Sequence, residues 1–157
     1  MWPLSDPNSV KISKIVSIEF TYFQAGLYYE PMNILDQFMT LCDTASHHCR
    51  IQPGTKDFEP SFLKVLQFIN QHPDHDADFK KRFAASLGEV DGPIDWELVQ
   101  FCMREKQWLE IKAAASEAIL HAESSRTISE MEAIIDVYEE EWPDEELYEY
   151  YANKKFR

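Results

Sequence analysis

Apolar residues recur at three- and four-residue steps along most of the chain, which is the spacing of one face of an α-helix. The clearest run passes through Leu98, Phe101 and Cys102, and it resumes after a polar interruption at Trp108 and Ile111. The pattern predicts two consecutive helices or one bent helix. We expect this stretch to be the central core element of the protein.

Charged residues mark both the start and the interruption of this central pattern. Asp95 can cap the first turn, because its carboxylate can accept from amides that have no partner inside the helix. Glu97 adds negative charge where the helix dipole favours it. The interruption at 104–107 contains Arg104 and Lys106, and basic residues suit a helix C-terminus. We therefore predict that one helix ends there and another begins.

Proline, glycine and aspartate predict where further helices begin and end. Helices are predicted to open at Glu30-Pro31 and at Glu59-Pro60, since proline at the first helical position loses no hydrogen bond. Between them, a polar loop is predicted from Asp43 to Asp57. Asp76 is predicted to cap a short helix that stops at Gly88.

The two ends of the chain complete the predicted fold. Residues 1–9 are expected to form a flexible tail. Residues 10–23 fit both a helix and an alternating strand, and we predict a helix with an edge strand as the alternative. A last helix is predicted to start at Pro143 and to continue through Tyr151. The expected fold is all-α: one domain over 1–157, an irregular multi-helix bundle or short helical-hairpin stack of about seven or eight helices.

Composition narrows the class of protein. The 157 residues carry a formal net charge of −13, with 45% hydrophobic residues and only four glycines. An acidic chain repels phosphates, so we expect no direct binding to nucleic acid. Its three cysteines suggest a reducing compartment. No secretion signal and no run of ~20 apolar residues is visible. We therefore expect a cytoplasmic protein that does not cross a membrane.

One alternative function is a small metal-dependent enzyme that uses the predicted Cys42–Cys49 loop. Thiolate and imidazole groups are good zinc ligands, but their spacing here matches no closed zinc motif, and the chain contains no known catalytic motif. We expect no catalysis, no cofactor and no bound metal. The residues that a metal would use are His47, Cys49, His72 and His75.

The strongest functional signal is a charge anomaly in residues 130–149. This segment contains ten acidic residues and no basic one. Such a run is usually a solvated helix face, but here aromatic residues alternate with the carboxylates. If the rings are exposed, the segment resembles a surface that binds a basic protein. The predicted binding residues are Glu139, Glu140, Glu141, Trp142, Asp144, Glu145, Glu146, Tyr148 and Tyr151.

The sequence therefore predicts a non-catalytic acidic protein that binds a basic protein partner. An immunity-type inhibitor of a basic toxin is one such protein. A further alternative is a homo-oligomeric scaffold that assembles through aromatic residues near the N-terminus, which are Phe20, Tyr22, Phe23, Tyr28 and Tyr29.

Overall fold

The described part of the chain, residues 31–155 of a computed structural model, consists of helices and short connections without a strand, which confirms the predicted all-α class. Its seven α-helices are α1 (Ile34–Ile51), α2 (Thr55–Gln71), α3 (Asp76–Ser86), α4 (Trp96–Lys106), α5 (Leu109–Leu120), α6 (Ser125–Asp136) and α7 (Glu149–Lys154). Two 3-10 turns, Pro73–His75 and Pro143–Leu147, precede α3 and α7. The predictions for residues 1–9 and 10–23 and for the N-terminal aromatic residues lie outside the described residues.

Helix α4 is the centre of this fold, as predicted. It packs against α1, α2 and α6, while α1 packs on α2 and α5 packs on α6. Six consecutive residues of α4, from Leu98 to Met103, are buried. Six residues cover more than one and a half helical turns, so α4 is enclosed on all sides and not along a single stripe. Asp95 is its N-cap and accepts a hydrogen bond from the amide of Glu97.

The predicted break between two central helices is also confirmed. Helix α4 ends at Lys106, and Gln107 adopts a left-handed backbone conformation with φ of 52°. The amide side chain of Gln107 donates to the carbonyls of Met103, at 3.0 Å, and Val137, at 3.1 Å. These bonds offset the cost of the unusual backbone, and they attach the break to the end of α6.

Two predictions around α1 are wrong. Pro31 precedes the helix and is not its first residue; Asn33 is the N-cap, and its side chain accepts from the amide of Asp36 at 2.8 Å. The predicted loop from Asp43 to Asp57 is mostly helix, because α1 continues to Ile51. The polar residues of this stretch occupy the outer face of α1, and a buried stripe remains beneath them. That stripe consists of Cys42, Ala45 and Ser46, with Cys49 partly buried.

Three other helix boundaries differ from the prediction. Helix α2 begins at Thr55, so Pro60 lies inside the helix rather than at its start. Asp76 is the first residue of α3, and His75 occupies the N-cap position. The last segment is not one helix from Pro143: a 3-10 turn is followed by Tyr148, and α7 begins only at Glu149.

The short helix α7 is attached to the rest of the fold by a buried carboxylate. Glu59 of α2 is 4% exposed, and its two carboxylate oxygens accept from the amides of Glu149, at 3.0 Å, and Tyr150, at 2.8 Å. These amides belong to the first turn of α7, where no partner exists inside the helix. A residue 90 positions away therefore supplies the N-terminal cap that the local sequence lacks.

Replacing Glu59 by alanine should cost about 1–2 kcal/mol of stability, because two first-turn amides lose their acceptor. Hydrogen exchange at Glu149 and Tyr150 should accelerate more than exchange in α4. Glu59→Gln keeps one acceptor oxygen and should give an intermediate effect. Unchanged exchange at both amides in Glu59→Ala would show that α7 does not depend on this cap.

Candidate functional site

Residues 130–149 cover the second half of α6, the loop after it, the 3-10 turn and the first residue of α7. Seven of the ten acidic side chains are exposed and form no ion pair with any other residue between 31 and 155. We call these seven residues the acidic surface: Glu132, Asp136, Glu140, Glu141, Asp144, Glu146 and Glu149.

The other three acidic residues have basic partners outside the segment. Glu130 pairs with Arg126 at 2.7 Å, and Glu139 lies 3.8 Å from Lys112. Glu145 is paired twice, with Arg104 at 3.4 Å and with Lys155 at 3.2 Å. Arg126 is an i,i+4 neighbour of Glu130 on α6, whereas the partners of Glu139 and Glu145 are brought in by the fold. These partners neutralise only part of the charge of the segment.

Arg104, near the end of α4, holds the loop that carries part of the acidic surface. Its guanidinium donates to the carbonyls of Val137, at 3.0 Å, Glu139, at 2.6 Å, and Glu140, at 3.1 Å. The same group forms the ion pair with Glu145, and the side chain is only 15% exposed. Guanidinium carries several donors in a rigid plane, so one side chain can satisfy several carbonyls at once. The side chain of Arg104 therefore fixes the loop backbone that carries these carboxylates.

The expectation that the aromatic rings are exposed is wrong for Trp142, Tyr148 and Tyr151, which are each 3% exposed. Trp142 stacks on Tyr148 with centroids 5.6 Å apart, and the Tyr151 hydroxyl donates to the carbonyl of Phe101. A single helix from Pro143 onward would point these rings in different directions. Because the helix is interrupted at Tyr148, the three rings instead pack together against α4. They belong to the core beneath the acidic surface and not to the surface itself.

One large apolar side chain of this region, that of Leu147 in the 3-10 turn, is 59% exposed. Other residues of the same turn line an open groove of about 560 Å³. We call this the acidic groove, because four carboxylates and one ammonium group line it together with Trp142 and Pro143. The charged lining residues are Glu140, Glu141, Glu145, Glu146 and Lys155.

The histidines named as candidate ligands in the alternative metal-dependent hypothesis do not form a cluster with Cys49. His47 is exposed on α1, and His72 Nδ1 lies 2.8 Å from the carbonyl of Phe68. His75 Nδ1 is 3.6 Å from a carboxylate oxygen of Asp78. Because α1 continues through this region, the loop that would have gathered these residues does not form.

Cys49 instead meets two carboxylates at the start of α4. Its sulfur and the carboxylates of Asp95 and Glu97 lie within 4.8 Å of one another. Burial raises the pKa of the Cys49 thiol, and the nearby Glu97 carboxylate raises it further. Burial also raises the pKa of Glu97, with the charge of Asp95 acting in the same direction. The other two cysteines, Cys42 and Cys102, are fully buried, and burial raises the pKa of both thiols.

No family model, curated protein or solved structure matches this chain. Among the helices of residues 31–155, none is long and apolar enough to span a membrane. The chemistry of the described surface is therefore the basis for a functional assignment.

Proposed function

We propose that this chain is a non-catalytic binding protein that engages a basic protein partner through the acidic surface. The observation that supports the proposal is the set of seven exposed carboxylates that form no ion pair within residues 31–155, some of them on the loop that Arg104 fixes. An immunity-type inhibitor that covers the cationic site of a toxin in the cytoplasm is the most specific form of this proposal.

The carboxylates are held in fixed positions. This favours a role in binding over the alternative that they are simply solvated charges. A flexible acidic tail loses conformational entropy when it binds, which lowers its affinity. Here the loop after α6 is held by Arg104, and Glu139 and Glu145 are restrained by their ion pairs. The carboxylates of Glu140, Glu141 and Glu146 therefore already line a groove before any partner arrives.

The acidic groove fits a lysine or arginine side chain better than an acidic or apolar one. Four carboxylates against one ammonium group attract a cation, and the groove walls keep that cation close to several carboxylates at once. Glu145 is already neutralised by Arg104 and Lys155. The attraction therefore comes mainly from Glu140, Glu141 and Glu146.

Ion pairs and apolar contacts contribute different free energies to binding, so the charged and apolar groups have separate roles. An exposed ion pair contributes about 0–1 kcal/mol, so the carboxylates mainly accelerate encounter and select a basic partner. A buried apolar contact contributes more to the lifetime of a complex. With the rings of Trp142, Tyr148 and Tyr151 inside the fold, we expect such a contact from exposed Pro143, which lines the groove, or from Leu147 in the same 3-10 turn.

Neutralising the groove should remove binding of the partner. The test immobilises the wild type and, separately, the variant Glu140→Gln/Glu141→Gln/Glu146→Gln. Each is then exposed to lysate of the native host at low salt. We expect a basic protein that the wild type retains and the variant does not, with retention falling as salt rises. Mass spectrometry of the bound fractions measures both effects.

The matched control removes the same charge from exposed glutamates away from the acidic surface. It is Glu89→Gln/Glu117→Gln/Glu123→Gln. This control should retain the partner like the wild type. If both triple variants lose the same proteins, net charge alone explains retention and the acidic groove is not the binding site. If neither variant loses any protein, the proposal is wrong.

A further inference from the structure

The acidic groove already holds an ammonium group of the chain itself. Lys155 is the C-cap of α7 and lines the groove, and its Nζ lies 3.2 Å from a carboxylate oxygen of Glu145. The Lys155 side chain is 48% exposed, whereas Arg104, the other cation on this carboxylate, is 15% exposed. The more accessible of the two cations on Glu145 is therefore a lysine.

Trp142, which lines the same groove, carries an unsatisfied hydrogen-bond donor. The residue is 3% exposed, and its indole Nε1 is buried with no hydrogen-bond partner among residues 31–155. An indole N–H can only donate, and buried polar groups are nearly always hydrogen-bonded. This N–H therefore indicates that the groove takes an occupant with an acceptor oxygen.

These two observations together specify the chemistry of the occupant. A metal ion or a simple amine brings positive charge but no acceptor oxygen, and an acidic segment brings no cation. A lysine within a polypeptide brings an ammonium group and also a main-chain carbonyl. The carboxylates of Glu140, Glu141 and Glu146 line the groove without a cationic partner in the described part of the chain, so they add to the attraction.

We propose that a lysine of the basic partner enters the acidic groove, replaces Lys155 on Glu145 and brings a carbonyl oxygen that accepts from Trp142 Nε1. This inference rests on the proposed function and names the residue type that the groove receives. Lys155 is then an internal competitor, because its ammonium group leaves Glu145 before the partner's can bind there. The exchange costs little, since one exposed ion pair replaces another.

Nuclear magnetic resonance of the ¹⁵N-labelled full chain, titrated with a tetralysine peptide at low salt, tests the occupant directly. We expect the indole N–H signal of Trp142 to move as peptide is added, because this N–H gains an acceptor. The indole signal of Trp108 is the internal reference and should stay in place. The ammonium groups of Lys80 and Lys106 lie 5.3 and 5.4 Å from the centroid of the Trp108 ring, so they repel the peptide there.

Lys155→Gln should bind tetralysine about two- to fivefold more tightly than the wild type, because it removes the competing ammonium group, and an exposed ion pair accounts for no larger change. Lys154→Gln is the matched control. It removes the same charge one residue earlier, where the side chain is 46% exposed and pairs with Glu105 outside the groove. This control should bind the peptide like the wild type.

The inference is overturned if saturating tetralysine leaves the Trp142 signal in place, or if Lys155→Gln binds the peptide no more tightly than Lys154→Gln. Capture of a host protein that depends on the groove carboxylates tests the proposed function separately. If capture succeeds while either peptide result fails, the acidic surface binds a basic protein but no lysine replaces Lys155. If capture fails, the proposed function is wrong and this inference falls with it.

Discussion

Replacing Phe101 by alanine should lower the free energy of unfolding by about 3–5 kcal/mol, because the change removes a fully buried ring from the centre of the core. The ring of Phe101 contacts Phe62 of α2, with centroids 5.5 Å apart, and Tyr148 and Tyr151, at 5.1 and 5.0 Å. Its truncation therefore leaves a cavity where α2, α4 and the C-terminal aromatic residues meet. A cavity bounded by three elements cannot collapse easily.

Urea unfolding followed by far-ultraviolet circular dichroism measures this loss. Leu120→Ala is the control, because Leu120 is 76% exposed and its truncation should change stability by no more than about 0.5 kcal/mol. Similar small changes in both variants would mean that α4 is not at the centre of the core.

Replacing Arg104 by methionine should cost about 2–4 kcal/mol, because it removes three hydrogen bonds to loop carbonyls while keeping an unbranched apolar stem. Glu139 and Glu140 lose the donor to their carbonyls, Val137 keeps only Gln107, and Glu145 keeps only Lys155. The cost exceeds that of a surface ion pair because the guanidinium is largely buried.

Two variants separate the geometry of Arg104 from its charge. Arg104→Lys keeps the charge but not the planar donors, so it should lose most of the stability that Arg104→Met loses. Arg126→Met removes a guanidinium that is 69% exposed and pairs with Glu130, so it should change stability by at most about 1 kcal/mol. Hydrogen exchange in residues 137–145 should accelerate in both Arg104 variants and not in Arg126→Met. Wild-type stability in Arg104→Lys would show that charge alone holds the loop.

The centre of the fold could be predicted because its signals are local. Asp95 caps the helix that it directly precedes, and the basic residues at 104–107 lie where α4 ends. Leu98, Phe101 and Cys102, which follow ordinary helical spacing, are all buried, although the burial of α4 extends around the whole helix. Each of these signals lies within a few residues of the structure that it specifies, so no knowledge of tertiary contacts is needed.

The continuation of α1 could not be read from polarity alone. Residues 43–50 are mostly polar, and this composition predicts a loop. Yet Cys42, Ala45 and Cys49 keep a helical stripe on the inner face, and the buried Ser46 has a partner in α4. The helical spacing of these residues therefore indicated the correct structure. Ser46 made this spacing hard to recognise, because the hydrogen bond that allows it to be buried joins it to Asp95, 49 positions away.

Only part of the candidate site was visible in the sequence. The carboxylates could be predicted from charge, but the role of Arg104 depends on hydrogen bonds to residues 33 to 36 positions away. The aromatic rings were misassigned because a helical wheel assumes an unbroken helix, and Tyr148 breaks it. The cluster of Cys49, Asp95 and Glu97 also depends on a tertiary contact, between α1 and α4.

The dependence of the association rate on ionic strength tests the proposed binding function most directly. With the partner obtained by capture, the rate constant for association with the wild type should fall steeply as salt rises, since screening acts over ~8 Å at physiological ionic strength. Glu140→Gln/Glu141→Gln/Glu146→Gln should associate more slowly and with a weaker salt dependence, while its dissociation rate changes little. Equal association rates at low and high salt, unchanged in this variant, would contradict the proposal that the acidic surface receives a basic protein.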